Sequence, residues 1–140
     1  MFNRTEIEVR YEETDQMGVV YHANYFVWFE IGRTKFIEAL GFTYAEMEEE
    51  GVILPVIDVY ASYKKPALYG HKVYVETRLK EYKGIRLTYD YVIKNENDDI
   101  LVTGYTQHAF TEKGSLKPIQ LRKVNSQWHE LLKKLNEGDK

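Results

Sequence analysis

The chain has 140 residues, of which 44% are hydrophobic and 29% are charged, and its formal net charge is −3 at pH 7. This length and composition predict one globular domain over residues 1–140, and the acidic balance gives no electrostatic reason to expect a nucleic-acid partner. Because the chain has no cysteine, disulfides, thiolate metal sites and cysteine nucleophiles are excluded.

The N-terminal sequence MFNRTEIEVR is charged and has no apolar region of the kind found in signal peptides. No uncharged apolar run approaches the ~18 residues that a transmembrane helix needs. We therefore expect a cytoplasmic protein without membrane insertion.

The first predicted elements are a strand and a long helix. Apolar and charged residues alternate over residues 5–11, which predicts a half-buried strand ending at Tyr11. The residues from Tyr25 to about Leu40 contain no proline and are apolar nearly all round in their first half. Such a segment predicts a helix wrapped by other elements, and Gly41 is suited to end it.

Strands are predicted to follow a second, short helix. Thr43 and Glu46 form a capping box for a helix that reaches about Glu50. Residues 52–63 are rich in β-branched and aromatic side chains but contain Pro55, which predicts an edge position or a bulge. Three further strands, over residues 71–82, 85–94 and 100–111, are joined by short turns and should form an antiparallel meander.

Apolar residues recur at helical spacing near the C-terminus, which predicts an amphipathic helix that docks on the domain or on a partner subunit. These residues are Val124, Trp128, Leu131, Leu132 and Leu135. The whole order predicts an α+β fold in which a five-stranded antiparallel sheet curls around the long central helix.

The segment between the first strand and the long helix contains the candidate reactive groups. Asp15 lies close to apolar residues, where desolvation would increase its reactivity as a base or nucleophile. Residues 22–24 lie at the start of the helix, where unbonded N–H groups and the helix dipole could stabilise an oxyanion. Gly18 permits a backbone turn that would fold Asp15 toward this helix start.

Each of these residues also has an ordinary structural interpretation. An aspartate after threonine in a loop is often part of an Asx turn, and Asn24 could be only a helix N-cap. His22 could be a helix-start residue without a role in chemistry. Four histidines without metal-ligand spacing predict no metal site, and no glycine pattern indicates a nucleotide cofactor, so we expect no cofactor.

Residues 10–25, RYEETDQMGVVYHANY, together with the predicted order of elements, resemble the hotdog-fold acyl-CoA thioesterases, specifically the 4-hydroxybenzoyl-CoA thioesterase and YbgC-like branch. The shared features are Thr-Asp, a glycine three residues after the aspartate, an apolar pair, and His-x-Asn leading into the helix. The resemblance runs over nearly the whole chain. It implies hydrolysis of an acyl-CoA thioester to a free acid and CoA, without a metal.

The resemblance also implies roles for particular residues. Asp15 and His22 are the predicted catalytic residues, with Asp15 acting as nucleophile or general base. Substrate-binding roles are predicted for Tyr21, Asn24, Tyr25, Lys65 and Arg86. Within this set, the tyrosines would shape the acyl pocket and the two basic side chains would bind the phosphates of CoA.

The resemblance further implies a homodimer with active sites between the subunits, assembling into a homotetramer. Two other functions keep the same fold: hydration or dehydration of an acyl thioester, and binding of acyl-CoA without catalysis. The sequence does not determine whether the acyl group is aliphatic or aromatic, nor its length.

Overall fold

The computed structural model describes residues 2–138, which form seven β-strands and three α-helices. The strands are β1 (Phe2–Glu8), β2 (Val52–Ile53), β3 (Val56–Tyr63), β4 (Lys72–Tyr82), β5 (Arg86–Asn95), β6 (Ile100–Ala109) and β7 (Thr111–Glu112). The helices are α1 (Asn24–Leu40), α2 (Tyr44–Glu49) and α3 (Ser126–Gly138). Within residues 2–138, no helix is long and apolar enough to cross a membrane.

Five of the strands form one antiparallel sheet in the order β1-β4-β5-β6-β3. The predicted meander is confirmed, because β4, β5 and β6 are neighbours in the sheet. The side chains of β5 that point toward α1 are buried, and Tyr89 and Tyr91 are among the largest of them. Strands β1 and β3 are the two edges of this sheet.

Two strand predictions were wrong in detail. The first strand is β1 and ends at Glu8, whereas Tyr11 begins a 3-10 turn, Tyr11–Glu13, and is exposed. The predicted strand over residues 52–63 is divided at Pro55, because proline has no N–H group for a sheet hydrogen bond. Its first part, β2, pairs with β7 in a separate two-stranded sheet. The edge position predicted from Pro55 is confirmed, since the second part, β3, is an edge of the main sheet.

Helix α1 packs against one face of the sheet, as predicted. Trp28, Phe29 and Phe36 are completely buried. The ring of Phe29 stacks on Tyr91 with centroids 4.2 Å apart, and the ring of Phe36 meets Tyr89 edge-on at 5.7 Å. The sheet therefore surrounds the most apolar side of the helix.

The helix ends follow the local sequence signals. Helix α1 starts at Asn24, one residue before the predicted start, and the left-handed backbone of Gly41 (φ 108°) follows its last residue. The Thr43 hydroxyl accepts a hydrogen bond from the Glu46 N–H at 3.0 Å, which confirms the predicted cap of α2.

Helix α3 docks on the domain that it follows. The Trp128 ring stacks on Phe42 with centroids 5.0 Å apart. The Asn136 side-chain oxygen accepts a hydrogen bond from the Tyr82 N–H at 3.0 Å. These contacts fix α3 beside the end of β4.

Candidate active site

The segment after β1 folds into a small hairpin. Thr14 and Val20 form an isolated antiparallel bridge, and the Asp15 N–H donates to the Val19 carbonyl at 2.8 Å. The Gly18 N–H returns to the Asp15 carbonyl at 3.1 Å, and Gly18 has a φ of 80° that L side chains rarely adopt. Residues 14–20, TDQMGVV, therefore form a short hairpin whose turn is residues 15–18.

The Asp15 side chain takes part in this turn. Its Oδ1 accepts a hydrogen bond from the Met17 N–H at 2.8 Å, which is an Asx turn. Within the described residues, Oδ2 has no hydrogen-bond partner. The apolar enclosure that we expected is absent from the single chain, because the Met17 side chain is 82% exposed and Asp15 is only partly buried.

Glu13, which the sequence analysis did not select, joins the hairpin to the helix. The residue is 4% exposed, and its two carboxylate oxygens accept from the Trp28 indole N–H at 2.8 Å and the Arg10 backbone N–H at 2.9 Å. Its carbonyl oxygen accepts from the Tyr21 N–H and from the Asn24 side-chain amide, both at 2.9 Å. Trp28 could have indicated this role from the sequence, because the N–H group of a buried indole usually needs a hydrogen-bond acceptor such as a carboxylate.

The N–H groups at the start of α1 are not all unbonded. Those of Asn24, Tyr25 and Phe26 donate to the carbonyls three residues earlier, at 2.9, 3.4 and 3.2 Å. Within residues 2–138, the N–H groups of His22 and Ala23 form no hydrogen bond. The groups that could stabilise an oxyanion therefore lie one and two residues before α1, and Asn24 supports the hairpin with its side chain.

A surface cavity of about 300 Å³ lies beside this helix start. It is lined by Val20, His22, Tyr25, Tyr63, Lys64, Lys65 and Pro66. The fold thus brings together three of the predicted site residues, His22, Tyr25 and Lys65. Asp15 is absent from this lining in the single chain, and so is Tyr21, whose ring instead lies 4.4 Å from that of His22.

Two tyrosine side chains fix the shape of the cavity. The Tyr25 hydroxyl accepts a hydrogen bond from the Ala67 N–H at 3.1 Å, and burial raises the pKa of this phenol. The Tyr63 hydroxyl donates to the His22 carbonyl at 3.1 Å. Tyr25 is thus a neutral wall, whereas the imidazole of His22 is exposed.

The two predicted phosphate-binding residues lie far apart in one chain. The Lys65 ammonium group lies 3.7 Å from the Asp99 carboxylate, next to the end of β5. Arg86 is the first residue of β5. Because a strand rises about 3.4 Å per residue, roughly 30 Å of β5 separates the two sites.

A second cavity, of about 330 Å³, lies between α1, α2 and β2 and was not predicted. Arg33 lines it, close to buried hydroxyl groups of the sheet. Its other lining residues are Glu30, Thr34, Tyr44, Met47, Glu48, Val52, Ile53 and Leu54. No predicted site residue borders it.

His108 is a buried structural histidine. Its Nδ1 lies 3.0 Å from the Leu54 carbonyl and its Nε2 lies 2.8 Å from the Thr106 hydroxyl, which in turn lies 2.6 Å from the Tyr91 hydroxyl. Burial lowers the pKa of His108 from 6.5 to about 4, so the ring is neutral at pH 7. Since a carbonyl can only accept, Nδ1 carries the hydrogen, Thr106 donates to Nε2 and Tyr91 donates to Thr106.

Comparison with known proteins identifies the family. A model of the Thioesterase-like superfamily matches residues 9–129. The Bacillus subtilis (strain 168) protein named "Putative acyl-CoA thioesterase YneP" is 49% identical over 127 residues, which are 91% of this chain and 92% of that protein. The acyl-CoA thioesterase YbgC of Haemophilus influenzae is 32% identical, over 89% of this chain and 93% of its own length. A crystal structure of DHNA-CoA thioesterase from Staphylococcus aureus matches with a TM-score of 0.95 and 44% identity, covering 99% of this chain and 95% of that chain. The chain therefore belongs to the thioesterase-like superfamily and has its hotdog fold.

Proposed function

We propose that this protein hydrolyses acyl-CoA thioesters, with Asp15 as the reacting carboxylate and the N–H groups of His22 and Ala23 as the oxyanion site. The observation that carries the proposal is this pair of N–H groups, unbonded within residues 2–138, which follow the Asp15 hairpin beside an open cavity. The names of the YneP and YbgC relatives support the same reaction.

Asp15 can act in either of two ways. As a nucleophile, an oxygen of its carboxylate bonds to the thioester carbon, and the carbonyl electron pair moves to the oxygen. The tetrahedral oxyanion then collapses and expels the CoA thiolate, and water hydrolyses the resulting anhydride. As a general base, Asp15 takes a proton from a water molecule that attacks the same carbon, and the tetrahedral oxyanion collapses to the free acid and expels the CoA thiolate. In both routes the N–H groups stabilise negative charge that develops on the carbonyl oxygen.

The remaining predicted residues would bind the substrate. His22 is exposed at the cavity wall, where its imidazole can contact the thioester or the pantetheine arm. Tyr21 and Tyr25 would shape the acyl pocket. Lys65 at the cavity and Arg86 at the other end of the sheet would bind CoA phosphates, which requires that a second subunit supply one of them.

Pairing of two β3 edges would form such a dimer. β3 pairs with β6 on one side and presents unpaired backbone groups on the other. Apolar side chains of β3 are also exposed, namely Val56, Ile57, Val59, Tyr60 and Tyr63. We propose a homodimer through this edge, assembling into a homotetramer, in the cytoplasm. A second subunit against the hairpin would also remove Asp15 from water.

The test is hydrolysis of a panel of acyl-CoAs, with a thiol reagent to detect released CoA. The panel should contain short-chain, long-chain and aromatic acyl groups, including 1,4-dihydroxy-2-naphthoyl-CoA because of the Staphylococcus aureus relative. We expect the unsubstituted protein to release CoA. Asp15→Asn should have at least a ~100-fold lower kcat, because the asparagine side chain can neither attack the thioester carbon nor accept a proton from water.

Asp98→Asn is the matched control, since Asp98 is exposed and its left-handed backbone suits asparagine. Undiminished hydrolysis by Asp15→Asn would show that another group performs the chemistry. Binding of acyl-CoA by the natural chain without thiol release would favour the binding module, and addition of water across a carbon–carbon double bond would favour the hydratase.

A further inference from the structure

Glu13 is the one carboxylate buried close to the Asp15 hairpin in the described residues. Two N–H donors reach its side chain, from Trp28 and the Arg10 backbone, and the Arg10 guanidinium Nε lies 3.5 Å from Oε1. Burying a carboxylate is costly unless such partners are present, and replacing a buried ionic group by an apolar one often leaves stability unchanged. Stability alone therefore does not explain why this position carries a charge.

The contacts of Glu13 lie on the chain segments that precede and follow the hairpin. Arg10 precedes the hairpin, Tyr21 and Asn24 follow it, and Trp28 belongs to the second turn of α1. Glu13 itself lies two residues before Asp15. One residue thus fixes the position of the reacting carboxylate relative to the helix start.

Trp28 connects the same carboxylate to the cavity. The indole ring meets the Tyr25 ring edge-on with centroids 5.0 Å apart, and Tyr25 lines the cavity beside His22. A rotation of the Trp28 ring would therefore displace the cavity wall. Misplacement of reacting groups by about 1 Å can lower a rate by about 100-fold.

We infer that Glu13 is a positioning residue for the thioesterase reaction, which holds the Asp15 hairpin and the oxyanion N–H groups in one geometry through its bonds to Arg10 and Trp28. This inference rests on the proposed function of Asp15. Glu13 acts on the rate through Asp15 and the helix start and touches no substrate.

Glu13→Gln is the sharpest substitution because it keeps size and shape. Glutamine keeps only one of the two acceptor oxygens, and its NH₂ group must then face a second donor, either the Trp28 indole or the Arg10 N–H. We expect kcat to fall by about 10- to 100-fold while KM for acyl-CoA changes less than about threefold. A merely structural role would lower the folded fraction and leave the kcat of folded protein unchanged.

Trp28→Phe provides the rescue experiment. In the Glu13→Gln/Trp28→Phe double variant, the glutamine NH₂ no longer faces an indole N–H and its oxygen can accept from Arg10. We expect a higher kcat for the double variant than for Glu13→Gln alone, and thermal unfolding measured in parallel corrects for the smaller core side chain. If Glu13→Gln does not fold, the folded Trp28→Phe variant must still show a lower kcat than the natural chain, and an unchanged kcat would overturn the inference.

Asp15→Asn separates this inference from the proposed function. If Asp15→Asn retains full activity, the proposed function fails whatever Glu13 does. If Asp15→Asn is inactive and Glu13→Gln has the natural kcat, only the positioning role is overturned. Arg10→Gln is the control, because it keeps the backbone N–H that Glu13 binds and should reduce kcat less than Glu13→Gln.

Discussion

At the residue scale, the His108 side chain links protonation to the stability of the interior. The ring is 1% exposed and its two nitrogens are bonded to Leu54 and Thr106. Protonation would place a second hydrogen on Nε2, which now accepts from the Thr106 hydroxyl, and would bring a positive charge near Arg33. Because burial lowers the pKa of His108 to about 4, the unfolded chain binds this proton more readily than the folded chain between about pH 4 and 6.5.

The free energy of unfolding should therefore fall as the pH falls through this window. The contribution of His108 is fully present above pH 6.5 and is lost toward pH 4, and the difference between these pKa values corresponds to up to about 3 kcal/mol. We expect His108→Asn to be less stable at pH 7 but to lose less stability between pH 7 and 4.5 than the natural chain does. Urea unfolding at both pH values measures this, with exposed His71→Asn as control; parallel pH dependences would contradict it.

The sequence predicts some residues of the candidate site and not others for a physical reason. Asp15, Gly18 and His22 lie in one contiguous run, so their types and spacing are visible along the chain. Glu13 acquires its role from Trp28, which is fifteen residues away and is brought to it only when α1 packs on the sheet. The exposure of Met17 is also a tertiary property, since the apolar side chain alone suggested burial.

At the element scale, the packing of α1 on β4 depends on Gly32. A Cβ atom at this position would lie 2.5 Å from Thr77 Oγ1 and 2.8 Å from Val75 Cγ1. Alanine would gain about 1 kcal/mol in helix propensity, but overlaps of this size usually cost about 1–3 kcal/mol and here exceed the gain. The helix and strand are therefore close enough that only glycine fits between them.

We expect Gly32→Ala to lower the free energy of unfolding by about 1–2 kcal/mol in denaturant titration. Thr77 Oγ1 has no hydrogen-bond partner within residues 2–138, so Thr77→Ala should cost little and should recover part of the loss when combined with Gly32→Ala. Gly138→Ala is the control, because a Cβ there meets no neighbour. A Gly32→Ala variant as stable as the natural chain would argue against this close approach.

Some element boundaries depend on neighbouring residues and others depend on contacts with distant residues. α1 and the cap at Thr43 were predictable because they depend on neighbouring residues. The end of β1 was not, since the alternating pattern continues to Tyr11 while Glu13 binds the Arg10 N–H and turns the chain. Pro55 indicated that β3 is an edge strand, but its pairing with β6 joins distant residues, and no local pattern reports which strand is the neighbour.

At the scale of the whole molecule, the two residues proposed to bind CoA phosphates lie at opposite ends of the sheet. Lys65 lies near the Tyr63 end of β3, because its N–H donates to the Leu101 carbonyl at 3.2 Å. Arg86 pairs with Ala109, next to the residue that pairs with Val56 at the other end of β3. Two β3 strands paired antiparallel about a two-fold axis would bring the Lys65 end of one subunit to the Arg86 end of its partner.

This geometry predicts complementation between two defective subunits. Asp15→Asn should abolish hydrolysis, and Arg86→Ala should raise KM for acyl-CoA about 10-fold through loss of a charged hydrogen bond to phosphate. In a mixed dimer, one site then combines natural Asp15 with the partner's natural Arg86, and the other site contains both substitutions.

Co-expression of the two chains with different affinity tags, followed by two purification steps, isolates the mixed dimer. We expect it to show the natural KM and about half of the natural kcat per dimer, although neither parent does so. If each site were built from one chain alone, the active site of the mixed dimer would carry Arg86→Ala and would keep the raised KM. Two simpler results would also contradict a site shared between subunits: elution of the protein as a monomer in size-exclusion chromatography, or an unchanged KM in the Arg86→Ala homodimer.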